Sequence, residues 1–377
     1  MRTTREQVLR FRWRQQELDR ATDSRKDATQ VAILDLGVQS GAGDAGRVAL
    51  RARGVTRAEA DRVTSGFTDD LALTWSLRGA PHFYRRADLA EIERAVWPVS
   101  AADAAKRSAG AAKASIDHLQ ALCEIGRELH GILTKPMTKG EASAALTPRL
   151  PPDLLTDCRP CKATHCHEQL FRIAALHGGL EHEPGTNPPT LRRIPGARPA
   201  KTPVDPREAK PAHHVGRAYL HFLGPATPKD LAAFLETTVT EAKKLWPDDA
   251  VEVDRAGEKA WLLPEDVRAL ESAAEPDKTE PGLKLLNGFD LFLAAKDRHL
   301  LTDGNKDRHK ELWPVLGRPG VLVSDGLPLA AWRPRTKGKR FHLQVSWWSE
   351  PTKAQRSAVD DAAEVMVATG VEYAGLA

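Results

Sequence analysis

The stretch that decides the fold is Leu73-Thr-Trp-Ser-Leu-Arg-Gly79, followed by Pro81-His-Phe-Tyr-Arg-Arg86. Both runs are rich in residues that favour extended backbone, and the Gly79-Ala80 step between them favours a tight turn. The sequence therefore predicts a β-hairpin at this place.

Helical patterns precede this hairpin. Thr4 is followed three residues later by Gln7 and then by apolar residues on one helical face, which predicts a capped helix that reaches Leu18. Apolar residues predict a second helix from Asp27 to Gly37 and a third from about Thr56 to Arg62. Helices followed by a hairpin are typical of a winged helix.

The same order of elements returns twice along the chain. In the second copy, a helix capped by Thr138 leads to a helix from His167 to Leu176 and to a hairpin within residues 180–194. In the third copy, helices after His213 lead to a hairpin from Val251 to Leu263. We therefore expect three similar units in tandem.

The expected fold class is α+β and mainly helical, with tandem winged-helix units and a C-terminal β-rich hairpin region. The Pro-rich segment after the second copy has no apolar periodicity and is typical of a linker. The predicted segments are winged helix 1 (residues 1–100), winged helix 2 with a Cys/His cluster (101–195), a Pro-rich basic linker (196–212), winged helix 3 (213–275) and a C-terminal β-hairpin and helix region (276–377).

Length and composition exclude several classes of protein. The chain has 377 residues, of which 41% are hydrophobic and 28% are charged, which are ordinary values for a globular protein. Its polar N-terminus and its lack of a long apolar run predict neither a secretory signal nor a membrane span. Four cysteines are too few for a disulfide scaffold, so we expect a protein of the reducing cytoplasm.

The placement of positive charge points to nucleic acid. The segment from Arg333 to Arg340 carries five positive and no negative residues on a predicted hairpin, where side chains reach a phosphate backbone. The other interpretation is a solvated turn whose charges prevent edge association. The candidate DNA-binding residues here are Arg333, Arg335, Lys337, Lys339 and Arg340.

The first hairpin supplies a second basic group of residues. Arg78, Arg85 and Arg86 lie on it, and His82 lies between them. Two basic wings favour double-stranded DNA as the partner.

A cluster of Cys and His residues has ligand types and spacing suited to zinc. Cys158, Cys161 and His165 are followed by Cys166 and His167. The alternative is a set of reduced packing cysteines beside polar surface histidines. Structural zinc is therefore one of two interpretations of this segment, and the fourth ligand would come from the same stretch or from His177.

Gln39 is the candidate catalytic residue. It follows a predicted helix on a Gly-rich turn, where its carboxamide can orient a water molecule or a base edge. The other interpretation is a loop glutamine that bonds to local backbone.

Taken together, the chain resembles the AlkZ/YcaQ-like DNA glycosylases, a family with winged helices of the helix-turn-helix type 42. The matching stretches run nearly end to end: Gly37-Val38-Gln39, Trp75 to His82, Gly224 to Leu231, Asp297 to Leu301, and Val321 to Gly326 leading to Trp332-Arg333. The resemblance implies a concave, basic DNA-binding surface. It also implies excision of bulky or N7-alkylated purines, unhooking of interstrand crosslinks, and in some members self-resistance to DNA-alkylating antibiotics.

The family's catalytic signature is Gln-x-Gln or Gln-x-Asp, whose side chains hold the attacking water. The corresponding residues here are Gln39-Ser40-Gly41, so the second polar group is missing. A carboxylate from Asp44 or Asp35 is a candidate replacement from outside the motif.

Three functions remain to be distinguished. The first is a monofunctional DNA glycosylase in which Gln39 and Asp44 hold water, with no cofactor in the chemistry and with a monomer bound to alkylated duplex DNA. The second is a non-catalytic winged-helix protein, either a lesion sensor or a transcriptional regulator. The third is a protein-interaction module, against which the basic wings argue.

Overall fold

The computed structural model describes residues 2–41, 44–108, 116–276, 282–337, 340–367 and 372–376. Within these ranges the fold mixes α-helices with β-sheets. None of the described helices is both long enough and apolar enough to cross a membrane.

The helices are mostly short. The α-helices are α1 (Arg5–Gln15), α2 (Ala45–Ala52), α3 (Arg57–Thr64), α4 (Leu89–Ala95), α5 (Ala101–Arg107), α6 (His118–Ile132), α7 (Lys139–Leu146), α8 (Glu168–His177), α9 (Val215–Leu223), α10 (Pro228–Leu235), α11 (Val239–Lys243), α12 (Val267–Ser272), α13 (Arg298–Thr302), α14 (Lys306–Leu312) and α15 (Lys353–Met366). Short 3-10 helices lie at Ala28–Gln30, Ala32–Asp35, Leu77–Gly79, Arg86–Asp88, Thr147–Arg149, Pro152–Leu154, Pro206–Glu208, Pro264–Asp266 and Leu291–Ala294.

The strands belong to four sheets. They are β1 (Val38–Gln39), β2 (Leu71–Trp75), β3 (Pro81–Arg85), β4 (Met137–Thr138), β5 (Leu155–Cys158), β6 (Ala163–Cys166), β7 (Leu180–His182), β8 (Thr190–Arg193), β9 (Val251–Arg255), β10 (Glu258–Leu262), β11 (Lys284–Leu286), β12 (Gly320–Ser324), β13 (Leu327–Lys337), β14 (Arg340–Trp347) and β15 (Glu372–Leu376).

One six-stranded sheet joins the first two predicted units. Its strand order is β1-β3-β2-β7-β8-β4, so the two hairpins β2–β3 and β7–β8 lie side by side, each with a short strand on its outer edge. The contact between the hairpins is the antiparallel pair of Leu73 with His182. Each half presents a short strand, helices and a hairpin in the same chain order.

The third predicted unit has the same order of elements. Helices α9, α10 and α11 precede the hairpin β9–β10, and an isolated bridge pairs Ala226 with Trp261. Helix α10 begins with a capping box, because the Thr227 hydroxyl accepts a hydrogen bond from the Asp230 backbone N–H and the Asp230 carboxylate accepts one from Thr227 in return.

The C-terminal region is a five-stranded sheet of order β11-β12-β13-β14-β15, covered by α15. Its hairpin β13–β14 is long and pairs Ala330 with Trp347 at one end and Lys337 with Arg340 at the other. The β-rich region expected from the sequence is present here.

A buried ionic network connects the N-terminal helix to the third unit and the C-terminal region. Two Arg12 nitrogens donate hydrogen bonds of 2.9 and 2.5 Å to Asp297, which also accepts one of 3.0 Å from Arg255. Burial raises the pKa of Asp297, but the two arginines outweigh it and lower that pKa overall. Because removal of one partner would leave a buried charge unpaired, we expect each of these three residues to be important for stability.

Several element predictions were confirmed and others were wrong. The hairpins and the capped helices after Thr4 and Thr138 are present, and the Thr138–Glu141 capping box is complete. The helix expected from Asp27 to Gly37 is instead two 3-10 helices, because Val31 between them has extended backbone. The tight Gly79-Ala80 turn is wider than expected, since a 3-10 turn at residues 77–79 separates the strands. Helix α6, which lies within the second predicted unit, was not predicted.

Candidate functional site

Gln39 is the last residue of strand β1. The strand pairs Gln39 with His82, and the Ser40 N–H donates to the Pro81 carbonyl over 2.9 Å just beyond it. Val38 is buried in the core, whereas the side chain of Gln39 is half-buried. The sheet therefore fixes the backbone of Gln39 where the chain leaves the core.

Arg78 holds the Gln39 carboxamide. Its Nη2 donates a 2.9 Å hydrogen bond to Oε1 of Gln39, and its guanidinium lies 4.6 Å from the centre of the Phe234 ring. Burial lowers the pKa of Arg78, and neighbouring Arg318 lowers it further. The backbone of Arg78 is left-handed, with φ of 60° and ψ of 19°, a strained conformation for a residue with a side chain.

Helix α8 supports the turn that carries Arg78. Gln169 Nε2 donates a 2.9 Å hydrogen bond to the Arg78 carbonyl. The next residue, Gly79, also has positive φ, and a Cβ there would lie 2.8 Å from Nε2 of Gln169. Glycine is needed at this position because any side chain would displace Gln169.

His82 forms a buried polar layer behind Gln39. Its Nδ1 lies 2.9 Å from the Ala80 carbonyl and 3.0 Å from the Ser76 hydroxyl, which in turn bonds to the Tyr84 hydroxyl over 2.8 Å. Burial, aided by the charge of Arg78, lowers the pKa of His82 to about 3, so this imidazole is neutral at pH 7. A neutral, buried imidazole is suited to supporting the hairpin rather than to contacting phosphate.

Several cationic side chains that were not predicted from the sequence lie near Arg78. Lys296, Arg298 and Arg318 all act electrostatically on one another, and none of them forms an ion pair within the described ranges. Burial, together with Arg78 and Arg298, lowers the pKa of Lys296 to about 8. The only sequence signal for Lys296 and Arg298 was their position beside and within the matching stretch Asp297 to Leu301, which does not include Arg318.

Two cavities open at this side of the protein. The first has a volume of about 670 Å³, and Lys296 and Arg298 are part of its lining. The other lining residues are Ala233, His299, Thr302, Gly304, Asn305, Lys306, His309 and Lys310. The second, of about 710 Å³, is largely apolar, and its lining includes Phe289, Trp332, Phe341, Arg318 and Asp44. Val315 and Leu316, 99% and 86% exposed, form part of its rim.

Gly41 lies next to Phe289, which lines the second cavity. A Cβ built on it would lie 3.5 Å from the ring of Phe289, which is an ordinary van der Waals contact, and its φ is not positive. Gly41 is thus not required by backbone geometry or by lack of space.

Asp44 lies at the start of α2 with an exposed side chain. Its carboxylate forms an ion pair with Arg47, whose guanidinium is buried. Asp35, the other candidate carboxylate, forms an ion pair with Arg85. Residues 42 and 43 between Gly41 and Asp44 lie outside the described ranges.

The side chains of Arg85 and Arg86 form ion pairs and hydrogen bonds with other residues of the protein. The sequence had instead predicted that they form an exposed basic wing. Arg85 also donates to the Val31 carbonyl over 2.8 Å, and Arg86 pairs with the fully buried Glu181 at 2.8 Å. The reason is the joined sheet, in which the first hairpin packs against β7 and does not project into solvent. Direct DNA contacts by His82, Arg85 and Arg86 stay a prediction, without support from this arrangement.

The predicted basic tip of the C-terminal hairpin is partly described. Arg333 donates a 2.6 Å hydrogen bond to the Gly317 carbonyl, and Arg335 donates one of 3.0 Å to Gln344. Arg340 is exposed at the start of β14. Lys339 and the side chain of Lys337 lie outside the described residues.

Cys158, Cys161 and His165 come together on the hairpin β5–β6. Their ligating atoms all lie within 4.8 Å of one another. Hydrogen bonds from Cys161 and then His165 lower the pKa of the Cys158 thiol. His177, the other candidate ligand, is instead bonded to Glu93 over 2.7 Å and stacked on Trp97.

A family model and a solved structure each match this chain. The family model for DNA glycosylase AlkZ-like proteins matches residues 36–368. Among solved structures, the DNA glycosylase AlkZ of Streptomyces sahachiroi is similar, with a TM-score of 0.68, 22% sequence identity and complete coverage of both chains. At that identity the likeness concerns the fold. No curated protein matches the sequence significantly.

Proposed function

The chain belongs to the AlkZ-like DNA glycosylase family, and from this premise we propose that it hydrolyses the N-glycosidic bond of bulky or N7-alkylated purines in duplex DNA. Interstrand crosslinks and antibiotic adducts fall within the proposed substrates. The proposed enzyme is monofunctional, which means that it releases the base without cutting the strand.

The observation that carries this proposal is the hydrogen bond from Arg78 to Gln39 at the edge of a cationic surface. With one lone pair of Oε1 engaged by Arg78, the carboxamide has a fixed orientation. Its second lone pair and its Nε2 hydrogens have no partner among the described residues and are available to a water molecule. A water molecule held in this way is positioned without the entropy loss of a free encounter.

The chemistry of the substrate explains why so few groups suffice. Alkylation at N7 makes the purine cationic, so the bond between C1′ and N9 breaks with its electron pair moving to a base that leaves neutral. The water oxygen then bonds to C1′ of the oxocarbenium-like sugar, and its proton passes to solvent or to the Asp44 carboxylate. No step requires a cofactor, and a bound metal would have a structural role.

The distribution of cations indicates a path for the DNA. Lys296 and Arg318 lie near enough to interact electrostatically with Arg78, which holds Gln39. Lys296 and Arg298 line the first cavity, and Arg318 lines the second beside Gly317, whose carbonyl accepts a hydrogen bond from Arg333. We infer that the three repeated units are winged helices that present this surface to one duplex as a monomer. A cytoplasmic, nucleoid-associated protein fits this role.

The alternative is a non-catalytic DNA-binding protein of the same fold. Gly41 favours it, because the family signature has a polar side chain at that position. In that case the cationic surface would bind lesions or operators without base release.

One experiment separates the two functions: base release from a duplex with a single N7-methylguanine or a bulkier N7 adduct. We expect release by the wild type, loss of about 10²–10³-fold in Gln39→Ala, and a smaller loss in Asp44→Ala. Gln30→Ala is the matched control, because Gln30 is an exposed glutamine on a nearby 3-10 helix. Salt-dependent duplex binding without release from any adduct would instead establish the non-catalytic function.

A further inference from the structure

The hairpin β5–β6 brings three metal-binding side chains to one point. Cys158 ends β5 opposite Ala163, Cys161 lies in the turn, and His165 lies on β6 opposite Thr156. The turn reverses sharply at Lys162, which has positive φ of 51°. Hairpin geometry, and not sequence proximity alone, therefore directs the three side chains to the same side.

The spacing of the ligating atoms suits a tetrahedral metal. Zn–S bonds of about 2.3 Å and Zn–N bonds of about 2.0 Å place the ligands of a tetrahedral site about 3.5 Å apart. The three atoms here lie within 4.8 Å of one another before any ion is present. Because Cys161 is exposed and Cys158 and His165 are half-buried, small side-chain rotations close the remaining distance.

His165 is already oriented as a ligand. Its Nδ1 lies 2.7 Å from the Cys166 carbonyl and donates a hydrogen bond to it, so Nε2 is the ring nitrogen left for a metal. In zinc-bound histidine, the ring nitrogen that does not bind the metal usually donates a hydrogen bond, often to a backbone carbonyl. His165 also forms a side-chain hydrogen bond with Cys158, so these two candidate ligands are neighbours.

Cys158 already has hydrogen-bond partners in its neighbour Cys161. The backbone N–H and the thiol of Cys161 both donate hydrogen bonds to it. Backbone donors to sulfur stabilise the negative charge that a zinc-bound cysteine carries.

The other acidic and histidine cluster offers a contrast. Asp35, Asp88 and His213 also lie within 4.8 Å of one another, but Arg85 forms ion pairs with both carboxylates. The Arg85 guanidinium therefore already neutralises the two carboxylates of that cluster. The β5–β6 cluster has two soft sulfur ligands and no such neutralising arginine among its described contacts, which favours Zn²⁺ over a hard cation.

We propose that Cys158, Cys161 and His165 bind one Zn²⁺, with water in the fourth, open position. Within the described residues no further Cys, His, Asp or Glu joins the group. Cys166 faces the core and is buried, so it does not take the fourth position.

The position of this zinc gives it a consequence for the Gln39 site. Strand β6 leads within two residues into α8, whose Gln169 supports the Arg78 carbonyl and whose Arg172 reaches towards that of Gly79. A metal that fixes the hairpin also fixes the start of α8. We therefore expect zinc loss to weaken the support of Arg78 without removing any group that contacts DNA.

The test is the metal content of the purified full-length protein after growth with zinc and gel filtration. We expect about one Zn²⁺ per chain in the wild type and in Cys123→Ala, which removes a buried thiol outside the cluster. Cys158→Ser and Cys161→Ser should retain less than a tenth of that amount.

Cobalt substitution supplies a readout that does not depend on activity or on the folding of a variant. Co²⁺ added to metal-free wild type should give thiolate charge-transfer bands and visible bands of tetrahedral geometry, both displaced by one equivalent of Zn²⁺. The proposal would be overturned if the wild type held less than one equivalent of zinc and no more than Cys158→Ser. A cobalt spectrum without thiolate bands would overturn it as well.

Discussion

Nη2 of Arg78 lies 2.9 Å from Oε1 of Gln39 and donates a hydrogen bond to it, across 39 positions of the chain. The bond connects the end of strand β1 to the turn of the first hairpin and fixes the orientation of the Gln39 carboxamide. The same guanidinium also packs on the ring of Phe234. The left-handed backbone at Arg78 costs about 1–3 kcal/mol and directs its side chain to Gln39. Arg78 is in our proposal a positioning residue for Gln39, not a DNA contact.

Replacing Arg78 with glycine or alanine separates positioning from stability. Both variants lose the bond to Gln39, so we expect base release to fall at least tenfold in each, mainly in kcat and with little change in KM. Glycine accepts the left-handed backbone whereas alanine does not. Arg78→Gly should therefore be about 1 kcal/mol more stable towards urea than Arg78→Ala. Activity that followed stability across the pair would contradict the positioning role.

Gly41 offers a gain-of-function prediction. Gly41→Asp and Gly41→Gln restore the polar residue of the family signature, and the structure has space for a side chain beside Phe289. We expect a severalfold faster release of N7-methylguanine from both variants, because a second group would then hold the water. Gly41→Ala, which adds the Cβ alone, should leave the rate unchanged. An equal effect of all three substitutions would show that the backbone, and not the polar group, is responsible.

The sequence was sufficient for the local elements of the fold. The Thr138–Glu141 capping box and the hairpins were predictable because caps, turns and alternating strands are set by neighbouring residues. The joined six-stranded sheet was not, since the pairing of Leu73 with His182 connects residues more than a hundred positions apart. Because this pairing also places Glu181, the neighbour of His182, next to the first hairpin, Arg86 forms an internal ion pair with it.

The candidate site was predictable only in part for the same reason. Gln39 was found from its Gly-rich turn and from the family resemblance. Lys296 and Arg318 have no motif of their own, and only the fold brings them towards Arg78. The Cys158 cluster was visible because its ligands lie within eight residues of sequence.

Arg318 and Arg86 should respond in opposite ways to substitution. Arg318 is exposed and forms no ion pair with a described residue, so Arg318→Ala should weaken duplex binding, lower the salt slope by about 1 and leave Tm unchanged. Arg86 neutralises buried Glu181, so Arg86→Ala should lower Tm and leave the salt slope unchanged. Fluorescence anisotropy over a salt series, combined with calorimetry, measures both effects. A reduced salt slope in Arg86→Ala would restore the basic-wing interpretation of the first hairpin.

Two buried histidines should make the protein sensitive to acid. Burial lowers the pKa values of His82 and His182 to about 3, against about 6.5 in the unfolded chain. The unfolded state therefore binds more protons between pH 6.5 and 3, so the stability that is complete above pH 6.5 is lost as the pH falls through this window. We expect Tm to fall steeply below pH 6. His82→Gln should lower Tm at pH 7 but flatten its dependence on pH, and an unchanged slope would show that His82 is not neutral in the fold.

Lys296 should give DNA binding a pH dependence near neutrality. Its pKa of about 8 in the free protein means that it carries its charge at pH 7 and loses it as the pH approaches 9. A bound phosphate favours the charged form, so the complex should take up protons near pH 8 and duplex affinity should decrease as the pH rises from 7 to 9. Lys296→Met should bind more weakly at pH 7 and show a flatter profile, whereas Lys310→Met, at an exposed position of the same cavity, should weaken binding without changing the profile. Parallel profiles for the wild type and Lys296→Met would mean that Lys296 does not contact the duplex, and the DNA path would then have to run along the Arg318 side of the surface alone.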